Sequence, residues 1–187
     1  MATKSSASVS EMIQQSRTVL GNPSVATFER FEKAGTLRDA LIYVAIAAAI
    51  TGVFGLFEGI TGFLGNIAST LVGFFVFTYL VYWIGKQRGG TGTLDEVAYT
   101  FALFWAPLAV LFGVVSLILL ITIIGVLAIP LVWLAAIAAN IYFAYLAVQS
   151  SMNLKGGGTT WTVLLLAGLG SLVVNIIVGA LFSTGQG

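Results

Sequence analysis

Long stretches without charged residues alternate with short charged segments along the chain. No Asp, Glu, Lys or Arg occurs in four segments, which are 40–57, 59–85, 97–154 and 156–187. A helix that crosses the hydrocarbon core of a bilayer needs about 20 apolar residues. The first, second and fourth segments each accommodate one such helix, and the third accommodates two. The pattern therefore predicts an all-α bundle of five membrane-spanning helices within residues 40–187, placed near 40–57, 60–84, 99–121, 128–147 and 161–182.

Gly125 and Pro130 divide the longest apolar segment into two helices. Glycine weakens a helix and proline is tolerated best in its first turn, so we expect the fourth span to begin close to Pro130. The apolar connection at 122–127 must then be short. Pro107 lies inside the third span, where its missing amide hydrogen and its clash with the preceding turn predict a kink.

The segment before the first span divides into two parts. Residues 1–21 begin with a tip rich in Ser and Ala and are expected to form a flexible tail. Residues 22–39 predict a short amphipathic helix, because Val25, Phe28 and Phe31 recur every three residues among charged positions. Such a helix lies either on the membrane surface or on the ends of the spanning helices, and the sequence is compatible with both.

Composition and charge exclude several classes of protein. Apolar residues make up 58% of the 187 residues and charged residues 8%, whereas soluble domains are about 45–50% apolar and about 25% charged. The absence of cysteine and histidine excludes disulfides, thiolate metal sites and the usual general base. A net charge of +1 argues against a nucleic-acid partner, which requires a dense basic face. We therefore expect a multi-pass protein whose main partner is the lipid bilayer.

The basic residues predict the orientation of the bundle. With five spans, all of them fall on one side of the membrane, namely Lys4, Arg17, Arg30, Lys33, Arg38, Lys86, Arg88 and Lys155. Cytoplasmic loops carry an excess of Lys and Arg. The N-terminus is therefore expected in the cytoplasm and the C-terminus outside. An even number of spans would break this segregation.

Four polar residues within or between the predicted spans form a candidate intramembrane site. Asn66, Asn140 and Asn175 each fall in a span, and Glu58 lies at the turn between the first two spans. Amides in membrane helices most often form modest interhelical hydrogen bonds. A carboxylate marks the turn if it lies at the interface, and a proton or cation site if it lies deeper. Packing is the favoured interpretation, and a solute pathway is the alternative.

The glycine-rich segments 85–92 and 156–158 do not match a phosphate-binding loop, because the required Gly-Lys-Ser/Thr spacing is missing. Thr93 and Glu96 instead form the pattern of a capping box that begins the third span. No pair of carboxylates, no serine paired with a base and no metal cluster is present within reach of the membrane. We therefore expect no catalytic residue, no cofactor and no metal ion, and hence no enzyme.

Several segments together resemble the Yip family of five-span membrane proteins. These are Asn22-Pro23 with Phe28, the run from Gly89 to Glu96, Pro107, and Lys155-Gly156. The resemblance implies a non-enzymatic integral membrane protein. Eukaryotic members of this family lie in endoplasmic reticulum and Golgi membranes and interact with lipidated Rab GTPases. This sequence lacks the Asp-Leu-Tyr-Gly-Pro motif of their longer tails and looks more like the short bacterial members.

Two functional hypotheses remain. The first is a bacterial cytoplasmic-membrane protein, or alternatively an endoplasmic reticulum or Golgi protein, that organises the membrane or recruits membrane or cytoplasmic partner proteins. Its candidate contact residues for partners or lipid headgroups are Phe28, Phe31, Lys86, Arg88, Asp95 and Glu96. The second is a transporter or channel for a small solute or ion. A protein of five spans would form one most readily as an oligomer, namely a dimer.

Overall fold

The computed structural model describes residues 6–53 and 59–183. Within these residues the chain is all-α, without strands. The helices are Val9–Gly21 (α1), Val25–Glu29 (α2), Leu37–Thr51 (α3), Gly59–Gln87 (α4), Leu94–Leu120 (α5), Ile123–Ser151 (α6) and Gly157–Ser183 (α7).

Helix α1 corrects the prediction of a flexible tail for residues 9–21, while residues 1–5 of that tail lie outside the described residues. The Ser8 hydroxyl accepts a hydrogen bond from the Glu11 amide, and the Glu11 carboxylate accepts one from the Ser8 amide. Met12, Ser16 and Val19 share one helix face and are buried, and α1 packs chiefly on α5. The prediction failed because it relied on the Ser and Ala content of the tip and missed the capping box that follows it.

The single helix predicted over residues 22–39 is interrupted in the structure. Helix α2 ends at Glu29, and α3 begins only at Leu37. Thr36 caps α3, because its hydroxyl accepts from the Asp39 amide while the Asp39 carboxylate accepts from the Thr36 amide. Just before this cap, Gly35 lies against the ring of Tyr99, where a Cβ atom would overlap the ring. The cap and this close approach to α5 explain why the helix does not continue.

Among the described helices, α4, α5, α6 and α7 are long and apolar enough to cross a membrane. They cover the predicted spans from 60–84 onward to within one residue. The first predicted span, 40–57, corresponds to α3, which has 15 residues. Residues 54–57 at the end of that span lie outside the described residues.

The turn between α5 and α6 is as short as predicted, but α6 begins earlier than expected. The Thr122 hydroxyl accepts a hydrogen bond from the Gly125 amide at 2.9 Å and so caps the helix. Pro130 therefore lies inside α6 rather than in its first turn. Helix α5 continues through Pro107, and the kink there stays a prediction.

The core of the bundle forms around α5, which packs against both α3 and α6, while α4 packs mainly on α7. An aromatic series connects α2 to this core. The ring of Phe28 meets that of Phe104 edge-on with centroids 6.2 Å apart, and Phe104 stacks on Phe143 at 5.7 Å.

The outer faces of the long helices expose large apolar side chains such as Leu131 and Ile176. These faces suit contact with lipid tails.

Candidate functional site

The α4–α5 connection and the α6–α7 connection meet at one end of the bundle. The Thr91 amide donates a hydrogen bond to the Met152 carbonyl oxygen at 3.0 Å. Gly92 approaches Ser151 so closely that a Cβ atom would overlap the Ser151 carbonyl oxygen. The buried Met152 side chain lies against Gly85, whose Cβ would be 2.7 Å from the methionine Cε. Gly85 and Gly92 therefore allow the two connections to pack closely.

Residues 6–39 lie on the same end of the bundle, and side chains fasten them to α5 and α6. Three hydrogen bonds across 58 or more residues of sequence make this connection. They run from the Leu37 amide to Asp95 Oδ1 (2.9 Å), from the Ser150 hydroxyl to Glu32 Oε2 (3.1 Å), and from the Tyr99 hydroxyl to Gln15 Oε1 (2.8 Å).

We call this end, formed by residues 6–39, 85–99 and 149–160, the basic end. Every Lys and Arg that the structure describes lies on it, and each is exposed. They are Arg17, Arg30, Lys33, Arg38, Lys86, Arg88 and Lys155. Hydrogen bonds hold its backbone in place, and its cations face outward, so the basic end has the character of a fixed platform.

Phe28 and Phe31 occupy different environments on the platform. Phe28 is fully buried against Phe104, so its side chain does not form an outer contact surface. This burial corrects its assignment as a contact residue and favours packing on the helix ends for this segment. Phe31 is half-buried, and the Arg30 guanidinium carbon lies 5.5 Å from the centre of its ring. Only Phe31 of this pair retains an exposed edge.

The two acidic candidates, Asp95 and Glu96, are engaged in holding helix starts. Asp95 accepts from the Leu37 amide, and the Glu96 carboxylate accepts from the Thr93 amide at 2.9 Å while the Glu96 amide donates to the Thr93 hydroxyl. The predicted capping box at the start of α5 is thus confirmed.

The two basic candidates, Lys86 and Arg88, are both exposed. Lys86 Nζ donates to the Thr91 carbonyl oxygen at 3.1 Å and lies 5.8 Å from the centre of the Tyr82 ring. Arg88 lines a pocket that the sequence did not indicate.

This pocket has a volume of about 540 Å³ and lies where the two connections meet. Arg88, Thr91, Asn153, Lys155 and Thr159 supply its polar lining, and no acidic residue is among the residues that line it. One sequence feature could have pointed to this pocket, namely a basic residue beside glycine in both connections, Arg88-Gly89 and Lys155-Gly156. Their proximity was not predictable because 66 positions separate Gly89 from Lys155 in the chain.

The candidate intramembrane residues are only partly brought together. A groove of about 740 Å³ between α4, α5, α6 and α7 includes Asn140 and Asn175 in a largely aromatic and aliphatic lining, whereas Asn66 is not part of it. Each of the three asparagine side chains forms a hydrogen bond within its own helix. Asn140 donates to the Ala136 carbonyl oxygen and Asn175 to the Ser171 carbonyl oxygen, both at 2.8 Å. Asn66 accepts from the Thr70 hydroxyl at 3.4 Å. Glu58 lies outside the described residues.

Two buried carboxylates of the platform have pKa values shifted in opposite directions. Burial raises the pKa of Glu32 above its ordinary value, although the Ser150 hydroxyl opposes the shift, and the charge of Glu96 adds to it. Burial also acts to raise the pKa of Asp39, but hydrogen bonds from Ser6, Thr36 and the Ala7 amide outweigh it and leave the pKa below its ordinary value.

These shifts have opposite consequences for stability. Glu32 binds its proton more tightly in the folded chain, so it stabilises the fold at acidic pH, and this stabilisation disappears as the pH rises through its raised pKa. Asp39 stabilises the fold at neutral pH, and this contribution disappears as the pH falls through its lowered pKa.

Within the described residues, no group of three or more Asp, Glu, Cys or His side chains is placed to hold a metal ion.

A family model described as the Yip1 domain matches residues 17–177 of the chain. No curated protein and no solved structure shows a significant match. The matched region includes both connections of the platform and most of its N-terminal part, and it confirms the resemblance expected from the sequence.

Proposed function

Because the chain belongs to the Yip1 domain family, we propose that it is a non-catalytic membrane protein whose basic end organises the membrane or recruits partner proteins. The observation that carries this proposal is the construction of the platform. Helix α1 packs on α5 and α2 packs on α6, the Ser150 hydroxyl of α6 bonds Glu32 just after α2, and the cations of this end remain exposed. A rigid, charged surface beside the bilayer suits binding rather than chemistry.

The proposal includes five spans, with α3 as the first. Helices α3 and α5 start at the same end, since the Leu37 amide bonds Asp95. Farther along, the Cβ position of Gly113 in α5 lies 3.1 Å from Thr51 at the end of α3. Beyond the basic end, residues 40–51 of α3 extend about 18 Å, which is more than half of a hydrocarbon core of about 30 Å.

An odd number of spans would place the basic end in the cytoplasm and the C-terminus outside, in accordance with the positive-inside rule. The resemblance to the short bacterial members of the family favours the bacterial cytoplasmic membrane. An endoplasmic reticulum or Golgi membrane is the alternative location, and both would present the same face to the cytoplasm.

The outer surface of α1 presents an exposed apolar residue to a partner protein. Ile13 is 40% exposed there, on a helix that is otherwise anchored through Met12 and Val19. We predict that a photoreactive residue at position 13 forms protein adducts in native membranes. The same group at Leu131, which is 68% exposed on the outer face of α6, should form lipid adducts only. Mass spectrometry of the adducts distinguishes the two, and lipid adducts alone at both positions would contradict recruitment through α1.

A solute transporter or channel that functions as a dimer is the second candidate. The groove lined by α4, α5, α6 and α7 contains Asn140 and Asn175, which supports it. Each amide donates one hydrogen bond within its own helix, which leaves its second N–H and its side-chain oxygen available to a solute. Flux measured in liposomes separates the two candidates. Flux that the Asn140→Leu variant abolishes would support transport, and absence of flux would support the first proposal.

A further inference from the structure

We propose that the pocket at the basic end binds the phosphate headgroup of an anionic phospholipid through Arg88 and Lys155. Both side chains line the pocket, and their exposed positions leave the guanidinium and ammonium groups available to an anion. Thr91 and Thr159 add hydroxyl groups, and Asn153 adds an amide. The volume of about 540 Å³ lies within the range of about 300–1,000 Å³ that is usual for small-ligand sites.

The pocket is built between the C-termini of α4 and α6, which end in the same way. Gly89 and Asn153 both adopt a left-handed conformation, with φ of 85° and 52°. The following amides bond back to helix carbonyl oxygens, from Gly90 to Gly85 at 2.8 Å and from Leu154 to Gln149 at 3.2 Å. These closing bonds are those of the Schellman motif.

The two caps matter for the charge of the pocket. Helix C-termini carry partial negative charge on unpaired carbonyl groups, and the closing bonds engage several of these groups. The two side-chain cations can therefore dominate the local field. The pocket is thus a partly open depression with a net positive lining.

The depth of the pocket identifies a lipid as the source of the phosphate. Trp83 is 51% exposed and lies five residues before Arg88, while Trp161 is 42% exposed and lies two residues after Thr159. Exposed tryptophans at helix ends are typical of the membrane–water interface. At about 1.5 Å per helical residue, the pocket lies just beyond this level, where headgroups are. Basic pockets between membrane helices at this depth are suited to anionic headgroups.

This inference rests on the proposed membrane placement, and it is tested with the full chain in detergent micelles. Native mass spectrometry would follow binding of phosphatidylglycerol, with phosphatidylcholine as the zwitterionic comparison and glycerol phosphate as the soluble one. We expect one phosphatidylglycerol per chain, with weaker binding of phosphatidylcholine. The Arg88→Gln/Lys155→Gln variant should bind about thirtyfold more weakly, since each interfacial cation contributes a factor of about five.

The matched control is Arg17→Gln/Arg30→Gln, which removes the same charge from exposed positions of the platform outside the pocket. It should bind phosphatidylglycerol within about threefold of the native chain. Equal losses in both variants, or no loss in either, would overturn the site. Equal binding of phosphatidylcholine would overturn the role of net charge, and displacement by equimolar glycerol phosphate would assign the pocket to a soluble phosphate compound. None of these outcomes bears on the adducts at position 13, so failure of the site and failure of the proposed function remain distinguishable.

Discussion

The Gly92→Ala variant is expected to lose about 3 kcal/mol of folding stability, because an added Cβ would overlap the Ser151 carbonyl oxygen. That oxygen belongs to backbone, which a side-chain rotation cannot move away. Relief requires the α4–α5 and α6–α7 connections to separate, and with them the hydrogen bond between Thr91 and Met152. For a chain of this size the thermal midpoint in micelles should fall by about 6–12 °C.

Gly65→Ala is the matched control for this experiment. Gly65 lies inside α4 with no neighbouring atom within 4 Å of its Cβ position, and alanine is a better helix former than glycine. Its thermal midpoint should stay the same or rise. If Gly92→Ala and Gly65→Ala both had the thermal midpoint of the native chain, the close contact between the two connections would be contradicted.

Phe28→Ala should cost about 3–5 kcal/mol, the usual range for removing a buried phenylalanine side chain. Phe28 is completely buried and meets Phe104 edge-on, so the truncation removes the main apolar contact of a five-residue helix. We expect α2 to separate from α6 and the neighbouring segment to exchange amide hydrogens faster. Hydrogen exchange over residues 22–36, followed by mass spectrometry, measures this effect directly.

Phe75→Ala serves as the control for Phe28→Ala. Phe75 is 39% exposed on α4, and its removal should cost less than about 1 kcal/mol without any change in exchange over residues 22–36. Unchanged exchange in Phe28→Ala would instead indicate that α2 does not depend on the aromatic core. That result would restore Phe28 as a candidate for contact outside the bundle.

The long helices were predictable because charge is expensive in hydrocarbon. The distance between charged residues predicted the spans that α4 to α7 cover, although these helices extend up to five residues beyond the predicted bounds, and the pattern Thr93-x-x-Glu96 predicted the start of α5. Such signals are local, so a single stretch of sequence contains them. The same type of signal, Ser8-x-x-Glu11, marks the start of α1, although the Ser and Ala content of this part of the chain favoured a flexible tail.

The platform was less predictable, because its contacts join distant parts of the chain. The spacing of Val25, Phe28 and Phe31 showed an apolar face but not its neighbour, and only the position of Phe104 shows that this face turns inward. Asp95 was a candidate contact residue, yet it accepts a hydrogen bond from the Leu37 amide, 58 positions away in the chain. The pocket depends on the meeting of Arg88 with Lys155, which no local pattern contains.

The central claim, a multi-pass bundle with its basic end in the cytoplasm, is tested most directly by cysteine labelling. The native chain contains no cysteine, so single variants at Arg30, Gln87 and Gln186 each provide one reactive thiol. Arg30 and Gln87 are exposed on the platform. In intact cells, a membrane-impermeant maleimide should label Gln186→Cys and should label Arg30→Cys and Gln87→Cys only after permeabilisation. Labelling of Gln186→Cys and Arg30→Cys from the same side would contradict five spans, and labelling of Gln87→Cys in intact cells would contradict a cytoplasmic basic end.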